Sequence, residues 1–382
     1  MNGLTVFVLV DALGWELIRD RAFLGDLLPY RQPVQSLLGF SSGIIPSMLT
    51  GLPPAESGMW NLVYYDPQNS PFRWMKSLGT APARVFDNRV GRRLLTELGR
   101  RFLRIGDNFD VSVPPETLPW FHWAESRNIY ARNGVPGHSS VFDLLYSRKI
   151  EHKVYSYKDG LTDQEILLRA EKDIAEGNEQ FYFLYLCELD AFLHLHRKET
   201  PKIEAKLSWY EDGLRRVFHA ACKRSPGARL QLSSDHGMTP VERHCDLAAI
   251  VKSCGYRTPK DYLAVYDSTM ARFWFFSQAA RDEILGRLRK LDYVRLLREQ
   301  ELRDLGVYFA DHRYGEEIVL LNPGFIIAES GFNGNGWKPA GMHGYHPAED
   351  PNATAVYMTN CAPASPPQTV RDVFRFMTEA CA

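Results

Sequence analysis

Short apolar runs rich in β-branched and aromatic residues recur along the chain at residues 6–10, 154–157, 181–186, 230–232 and 355–358. They lack clean apolar–polar alternation, as expected for strands of a parallel sheet buried on both faces. Helix-type patterns lie between them, at residues 15–28, 141–146 and 207–222, with acidic residues early and basic residues late. This order predicts an α/β fold: a doubly wound, mainly parallel sheet sandwiched by helices. Two stretches break the alternation. One is rich in Arg, Pro and aromatic residues; the other holds an apolar run at 271–276 and a charged helix at 281–291. Both read as cap insertions over one end of the sheet, at residues 67–134 and 256–335. The core is then formed by residues 1–66, 135–255 and 336–382.

A length of 382 residues suits one large domain with insertions or two domains. Lys and Arg number 45 against 46 for Asp and Glu, a net charge of -1. No overall field therefore recruits a macromolecular nucleic acid or an anionic membrane. The N-terminal apolar run stops at Asp11, which predicts a first strand rather than a signal peptide. No stretch approaches the roughly 20 apolar residues of a membrane span. Cys187, Cys222, Cys245, Cys254, Cys361 and Cys381 show no CxxC spacing. Free thiols in a cytoplasmic protein are the expectation.

Candidate chemistry gathers at the strand ends. Residues 6–10 lead into Asp11, residues 181–186 toward Asp190, and residues 230–232 toward Asp235. In a parallel sheet the carboxyl ends of the strands share one edge, where ligands bind. Three carboxylates there repel one another unless a cation lies between them. A single such Asp is ordinarily a turn or a helix cap, but here histidines accompany the three. His194 follows Asp190 by four residues, one face of a helical turn. His236 adjoins Asp235, and His343 lies in GMHGYHP between glycines that permit close backbone approach. Mixed carboxylate and imidazole donors suit zinc, or manganese where oxygen dominates. Two divalent ions about 4 Å apart would clamp the attacking and leaving oxygens of a displacement at phosphorus. The nucleophile then comes from residues 38–58, where Ser41 and Ser42 precede a short helical stretch with Pro46 in or near its first turn. A hydroxyl there meets free N–H groups and the positive end of the helix dipole. The same placement also serves simple N-capping.

Taken in order, these motifs resemble the alkaline phosphatase superfamily, and within it the type I phosphodiesterase/nucleotide pyrophosphatase branch. Thr50-Gly51-Leu52-Pro53-Pro54, Ser57-Gly58 and Tyr65-Asp66-Pro67 echo the family run TGLYP…HG…YDP. Asp190 and His194 match its DxxxH pair, Asp235-His236-Gly237 its DHG triplet, and His343-Gly344-Tyr345 its late HGY. The nucleophile of the family lies nine residues before the Thr of the TG pair, which selects Ser41, with Ser42 as the fallback. The resemblance covers the N-terminal 70 residues, about 181–240, and the region near 343; the insertions lie outside it. It implies one metal held by Asp190, His194 and His343, and a second held by Asp11, Asp235, His236 and the Ser41 oxygen. It also implies a phosphoserine intermediate. Two positions depart from the family pattern. Its HG histidine is Ser57 here, and its phosphate-contacting asparagine falls on Leu62, with Asn61 beside it as the stand-in.

Residues 39–61 contain no Lys or Arg. That favours a diester, pyrophosphate or phosphonate monoester, because a phosphate monoester carries extra charge that calls for cations. Cations could still come from outside that stretch, with Arg73, Arg92, Arg93 and Lys338 as candidates and a solvated surface as the plainer reading of each. Sulfatase chemistry is disfavoured, since no x-Pro-x-Arg follows Ser41. Phosphomonoesterase, phosphonate monoester hydrolase and phosphotransferase are the alternatives on the same site. A non-catalytic, metal-stabilised binding protein is the alternative outside catalysis. The aromatic residues Trp74, Phe109, Trp120, Phe121, Trp123 and Tyr130 would stack a base or sugar, or else form the core of the insertion. Ser42, Trp120, Trp123 and His346 are the expected contacts to a small phosphate ester, whether nucleotide, sugar or lipid headgroup.

Overall fold

The strands of the core sheet follow the apolar runs closely. The computed structural model describes residues 3–78, 85–101, 113–125, 127–328, 330 and 338–379. Six strands lie in the order Tyr30–Val34, Ala355–Thr359, Arg229–Ser233, Thr5–Val10, Phe181–Leu186, His152–Tyr155. The last four are parallel, and Ala355–Thr359 is antiparallel to both its neighbours. In Thr5–Val10, Val6, Val8 and Val10 pack with the helices Asp163–Glu176 and Thr200–Arg224. Phe7 and Leu9 point the other way, toward Ser41–Thr50, Val141–Ser147 and Val373–Glu379. Apolar side chains on both faces explain why these runs do not alternate. The fold is the expected mainly parallel α/β sandwich.

Three local expectations change. The helix expected over residues 15–28 is one turn, Trp15–Ile18. The Arg31 guanidinium takes the carbonyls of Ile18, Arg19 and Arg21, and Leu24 has φ 50°, so the helix cannot continue. Phe23, Leu24 and Leu28 nevertheless enter the core one by one. The run at 154–157 is shifted to the strand His152–Tyr155, after which a Ser156-capped turn covers Tyr157–Asp159. Tyr30–Val34 gave no apolar signal because it is a polar edge strand, where Pro33 costs no central ladder bond.

The two stretches read as insertions pack together. Val63–Tyr65 pairs with Phe121–Trp123, and a four-stranded antiparallel sheet runs Tyr262–Tyr266, Met270–Phe275, Glu317–Leu321, Val294–Leu296. The helix Gln278–Leu288 backs this sheet through Ala280, Ile284 and Leu288. Phe72, Met75, Leu95, Phe121 and Trp123 from the first insertion share a core with Leu263, Val265 and Trp274 from the second. Phe109 and Cys381 lie outside the described residues; the other five cysteines are free thiols. No described helix is long and apolar enough to cross a membrane.

Candidate metal centre

Each strand end delivers its side chain by a different local device. Asp11 directly follows Thr5–Val10, and its N–H still bonds the Leu186 carbonyl at 2.9 Å. Asp190 lies beyond the end of its strand, in the first turn of the helix Glu188–His196. The four-residue spacing then brings Asp190 Oδ2 to 3.2 Å from His194 Nε2. The buried Asp163 carboxylate fixes the start of that helix by accepting from the Cys187 and Glu188 amides, each at 3.0 Å. Asp235 and His236 follow Arg229–Ser233; the Ala12 and His236 amides donate to Asp235 Oδ1 at 3.3 and 3.0 Å. His343 follows the short strand Gly341–Met342, and its ring stacks on His236 with centroids 3.7 Å apart.

The imidazoles are oriented by backbone carbonyls. His194 Nδ1 lies 2.8 Å from the Gly341 oxygen, and His236 Nδ1 2.9 Å from the Gly237 oxygen. A carbonyl only accepts, so both Nδ1 atoms carry a proton, and both Nε2 atoms are turned toward the carboxylates. His236 Nε2 is 3.4 Å from Asp11 Oδ1 and 3.2 Å from Asp235 Oδ2. His343 Nε2 is 3.6 Å from Asp190 Oδ1. Two sets have ligand atoms within 4.8 Å of one another: Asp11, Asp235 and His236, and Asp190, His236 and His343.

Ser41 begins the helix Ser41–Thr50, behind Phe40 at the N-cap, and its Oγ lies 3.0 Å from His236 Nε2. Pro46 therefore falls in the second turn, not the first. Gly43 lets the helix lie directly on the loop that carries Asn61, since a Cβ there would sit 2.1 Å from the Trp60 oxygen. Asn61 is fully buried; its Nδ2 approaches only the Met270 sulfur, at 3.6 Å, and its Oδ1 has no hydrogen-bond partner. Leu62 instead packs against the cap core.

Electrostatics test whether cations fit here. Burial, then Asp235 and Asp190, push Asp11 well above the usual carboxylate range. Burial pushes Asp190 up as well, but His194, His343 and His236 outweigh it and hold this carboxyl well below its ordinary value. Burial would depress His194, yet Asp190 raises it, whereas burial and His236 drive His343 well below the usual imidazole range. Among the described residues no Lys or Arg pairs with the three carboxylates; their ion pairs are with histidines. Asp11 Oδ1, Asp190 Oδ1, Asp235 Oδ2 and His343 Nδ1 are buried without hydrogen-bond partners. Such a donor set fits divalent metal ions, which would supply the missing positive charge.

The other expected site residues are placed as follows. Ser42 is half-buried in the same helix turn, and the hydrogen bond to His236 belongs to Ser41. Trp123 is sealed in the cap core, edge-on to Phe72, so it offers no face to substrate. Trp120 is partly buried, stacked on Tyr65 with Lys76 4.4 Å over its ring. His346 contacts Glu301 at 3.5 Å. Arg73 bonds the Gln68 carbonyl, Arg92 pairs with Asp87, and Arg93 and Lys338 are exposed. Tyr185 was missed: its hydroxyl donates to Asp11 Oδ2. Nothing in FYFLYL distinguishes that tyrosine from its neighbours, because only strand pairing brings it beside Asp11.

With this geometry in view, the comparisons with known proteins agree. The family model for type I phosphodiesterase/nucleotide pyrophosphatase matches residues 44–346. No curated protein sequence matches the chain. Murine ectonucleotide pyrophosphatase/phosphodiesterase 5 superposes with a TM-score of 0.67 at 14% identity, covering 99% of this chain and 95% of the other. An inactive threonine-to-alanine form of that enzyme, in complex with AMP, gives the same values. The human counterpart gives 0.68 at 12% identity, covering 99% and 94%. These are ecto-enzymes by description, so the likeness lends no support to the cytoplasmic expectation. The family match spans most of the chain, from before Asp190 to beyond His343: the chain belongs to the type I phosphodiesterase/nucleotide pyrophosphatase family of the alkaline phosphatase superfamily, metal-dependent enzymes that hydrolyse phosphodiester bonds.

Proposed function

We propose that this enzyme cleaves a phosphodiester or pyrophosphate bond in a small nucleotide-type substrate, with Ser41 as the nucleophile. The observation that carries the reading is the Ser41 Oγ at 3.0 Å from His236 Nε2, at a helix N-terminus facing the carboxylates. One divalent ion would be held by Asp190, His194 and His343, and a second by Asp11, Asp235, His236 and Ser41 Oγ, with zinc favoured over manganese by the three imidazoles. When bound, such ions supply the Lewis acidity that lowers the serine pKa and offsets charge on the phosphoryl oxygens.

Ser41 Oγ attacks phosphorus, its proton passing to solvent, and the bond from phosphorus to the leaving-group oxygen breaks. The Asn61 amide and the Ser41 or Ser42 backbone amide donate to the phosphoryl oxygens as charge accumulates there. Water then attacks the phosphoserine, releases the second product and restores the Ser41 hydroxyl. Tyr185 and the carbonyls of Gly237 and Gly341 hold Asp11, His236 and His194 in orientation throughout. The AMP complex of the murine relative supports a nucleotide over a sugar or lipid headgroup.

The test is hydrolysis of bis-p-nitrophenyl phosphate, a nucleoside 5′-(p-nitrophenyl phosphate), p-nitrophenyl phosphate and a phenylphosphonate ester by zinc-loaded, manganese-loaded and metal-stripped protein. Diester hydrolysis should lead, require metal, and fall at least about a thousandfold in Ser41→Ala with metal content retained. Near wild-type turnover in Ser41→Ala would remove the assignment. A faster monoester would retain the family and replace the substrate class.

A further inference from the structure

The loop at residues 58–63, which carries Asn61, is held from both sides. Toward the core, Trp60 Nε1 donates to the Leu38 carbonyl at 2.6 Å. A Cβ at Gly39 would lie 2.7 Å from that indole nitrogen, so the loop presses on the segment entering the Ser41 helix. Toward the cap, the Tyr314 hydroxyl donates to the Gly58 carbonyl at 3.0 Å and accepts from the Trp60 amide at 3.2 Å. Arg272 Nη1 donates to the Val63 carbonyl at 2.9 Å, while Arg272 Nε pairs with Asp267 at 2.7 Å. The bonded backbone groups thus flank Asn61 before and after. Met270 of the same cap strand supplies the sulfur against which the Asn61 Nδ2 rests.

Arg272 and Tyr314 are almost wholly buried. Taking a guanidinium and a phenol out of water costs several kcal/mol unless each finds strong partners. The cap meets that cost with bonds spent on the irregular stretch that precedes the Val63–Tyr65 ladder, which begins only after Asn61. We infer that Tyr314 and Arg272 are positioning residues for catalysis: through the Gly58, Trp60 and Val63 backbone they fix Asn61 so that its amide meets a phosphoryl oxygen at Ser41. The inference rests on the role of Asn61 proposed above. A role confined to fastening cap to core would change thermal stability and leave kcat untouched.

The experiment uses the full-length zinc-loaded enzyme and bis-p-nitrophenyl phosphate, reading kcat, KM, bound metal and Tm for four variants. Asn61→Ala should lower kcat by about a hundredfold. Tyr314→Phe, which keeps the ring and loses the hydroxyl, should lower kcat about tenfold with KM and metal content unchanged. The double variant should be no slower than Asn61→Ala alone, because nothing is left to position. Met270→Leu conserves volume and should lower kcat about threefold, carrying the same test should Tyr314→Phe not fold. A slow Asn61→Ala beside wild-type kcat in Tyr314→Phe and Met270→Leu overturns the positioning role alone, as does a double variant whose two losses multiply. Wild-type kcat in Asn61→Ala overturns the assignment of Asn61 itself, and the inference with it, leaving the Ser41 reading to its own test.

Discussion

The edge of the core sheet and the Arg272–Tyr314 cluster of the cap treat buried polarity in opposite ways. At the core edge Asp11, Asp190, Asp235 and His343 keep buried atoms without hydrogen-bond partners. In the cap, Arg272 donates from all three guanidinium nitrogens and Tyr314 uses its hydroxyl twice. A polar cluster that serves the fold satisfies itself, whereas one left open while buried is built for a ligand. The difference separates the part of the molecule that binds from the part that arranges, and four measurements bear on it.

The largest effect is expected from Asp235→Ala, which should cut turnover by more than about a hundredfold and reduce bound metal measured by elemental analysis. In metal-stripped protein Asp235→Asn, which keeps the acceptor for the Ala12 and His236 amides, should raise Tm, because it removes a charge that repels Asp11. A lower Tm there would mean that the core edge serves the fold, and the contrast would break. Next, Trp123→Ala should cost about 3–5 kcal/mol in denaturant unfolding, with metal content per folded molecule unchanged. Loss of metal would mean that the cap core and the site are not separable. Tyr185→Phe should weaken metal affinity by about 10–100-fold, read by chelator competition. Unchanged affinity would reduce its contact with Asp11 to packing. Smallest is Lys76→Ala, which removes the cation over Trp120 and should cost no more than about 1 kcal/mol, with kcat unaltered. A change in kcat would give Trp120 a substrate role that its stacking does not suggest.

The two regions also differed in how far they could be read from the chain. Phe181–Leu186 was predicted to the residue, because a strand buried on both faces must be apolar at every position. Tyr30–Val34 escaped because an edge strand need not be. The helix expected at residues 15–28 stops after one turn, where Leu24 takes φ 50° and the remote Arg31 donates to the Ile18, Arg19 and Arg21 carbonyls. In the cap, the aromatic run could stack a ligand or, the reading favoured from sequence, build a core. The shared packing of Trp123 and Phe121 with Trp274 decided for the core at those positions.

The three aspartates and the three histidines were named from sequence because strand ends, four-residue spacings and glycine-flanked turns are local devices that reach the same edge in any such sheet; Ser41 was chosen over Ser42 by the family resemblance. Their separation by more than 300 residues of chain did not matter once the strands were recognised as parallel. What only the tertiary structure decided is the set of contacts joining elements remote in sequence and lacking any local signature. The Tyr185 hydroxyl on Asp11, the carbonyls that orient His194 and His236, and the hold of Tyr314 and Arg272 on the Asn61 loop are of this kind. Periodicity specifies which face of an element is buried; which partner meets it there is set only when the whole chain packs.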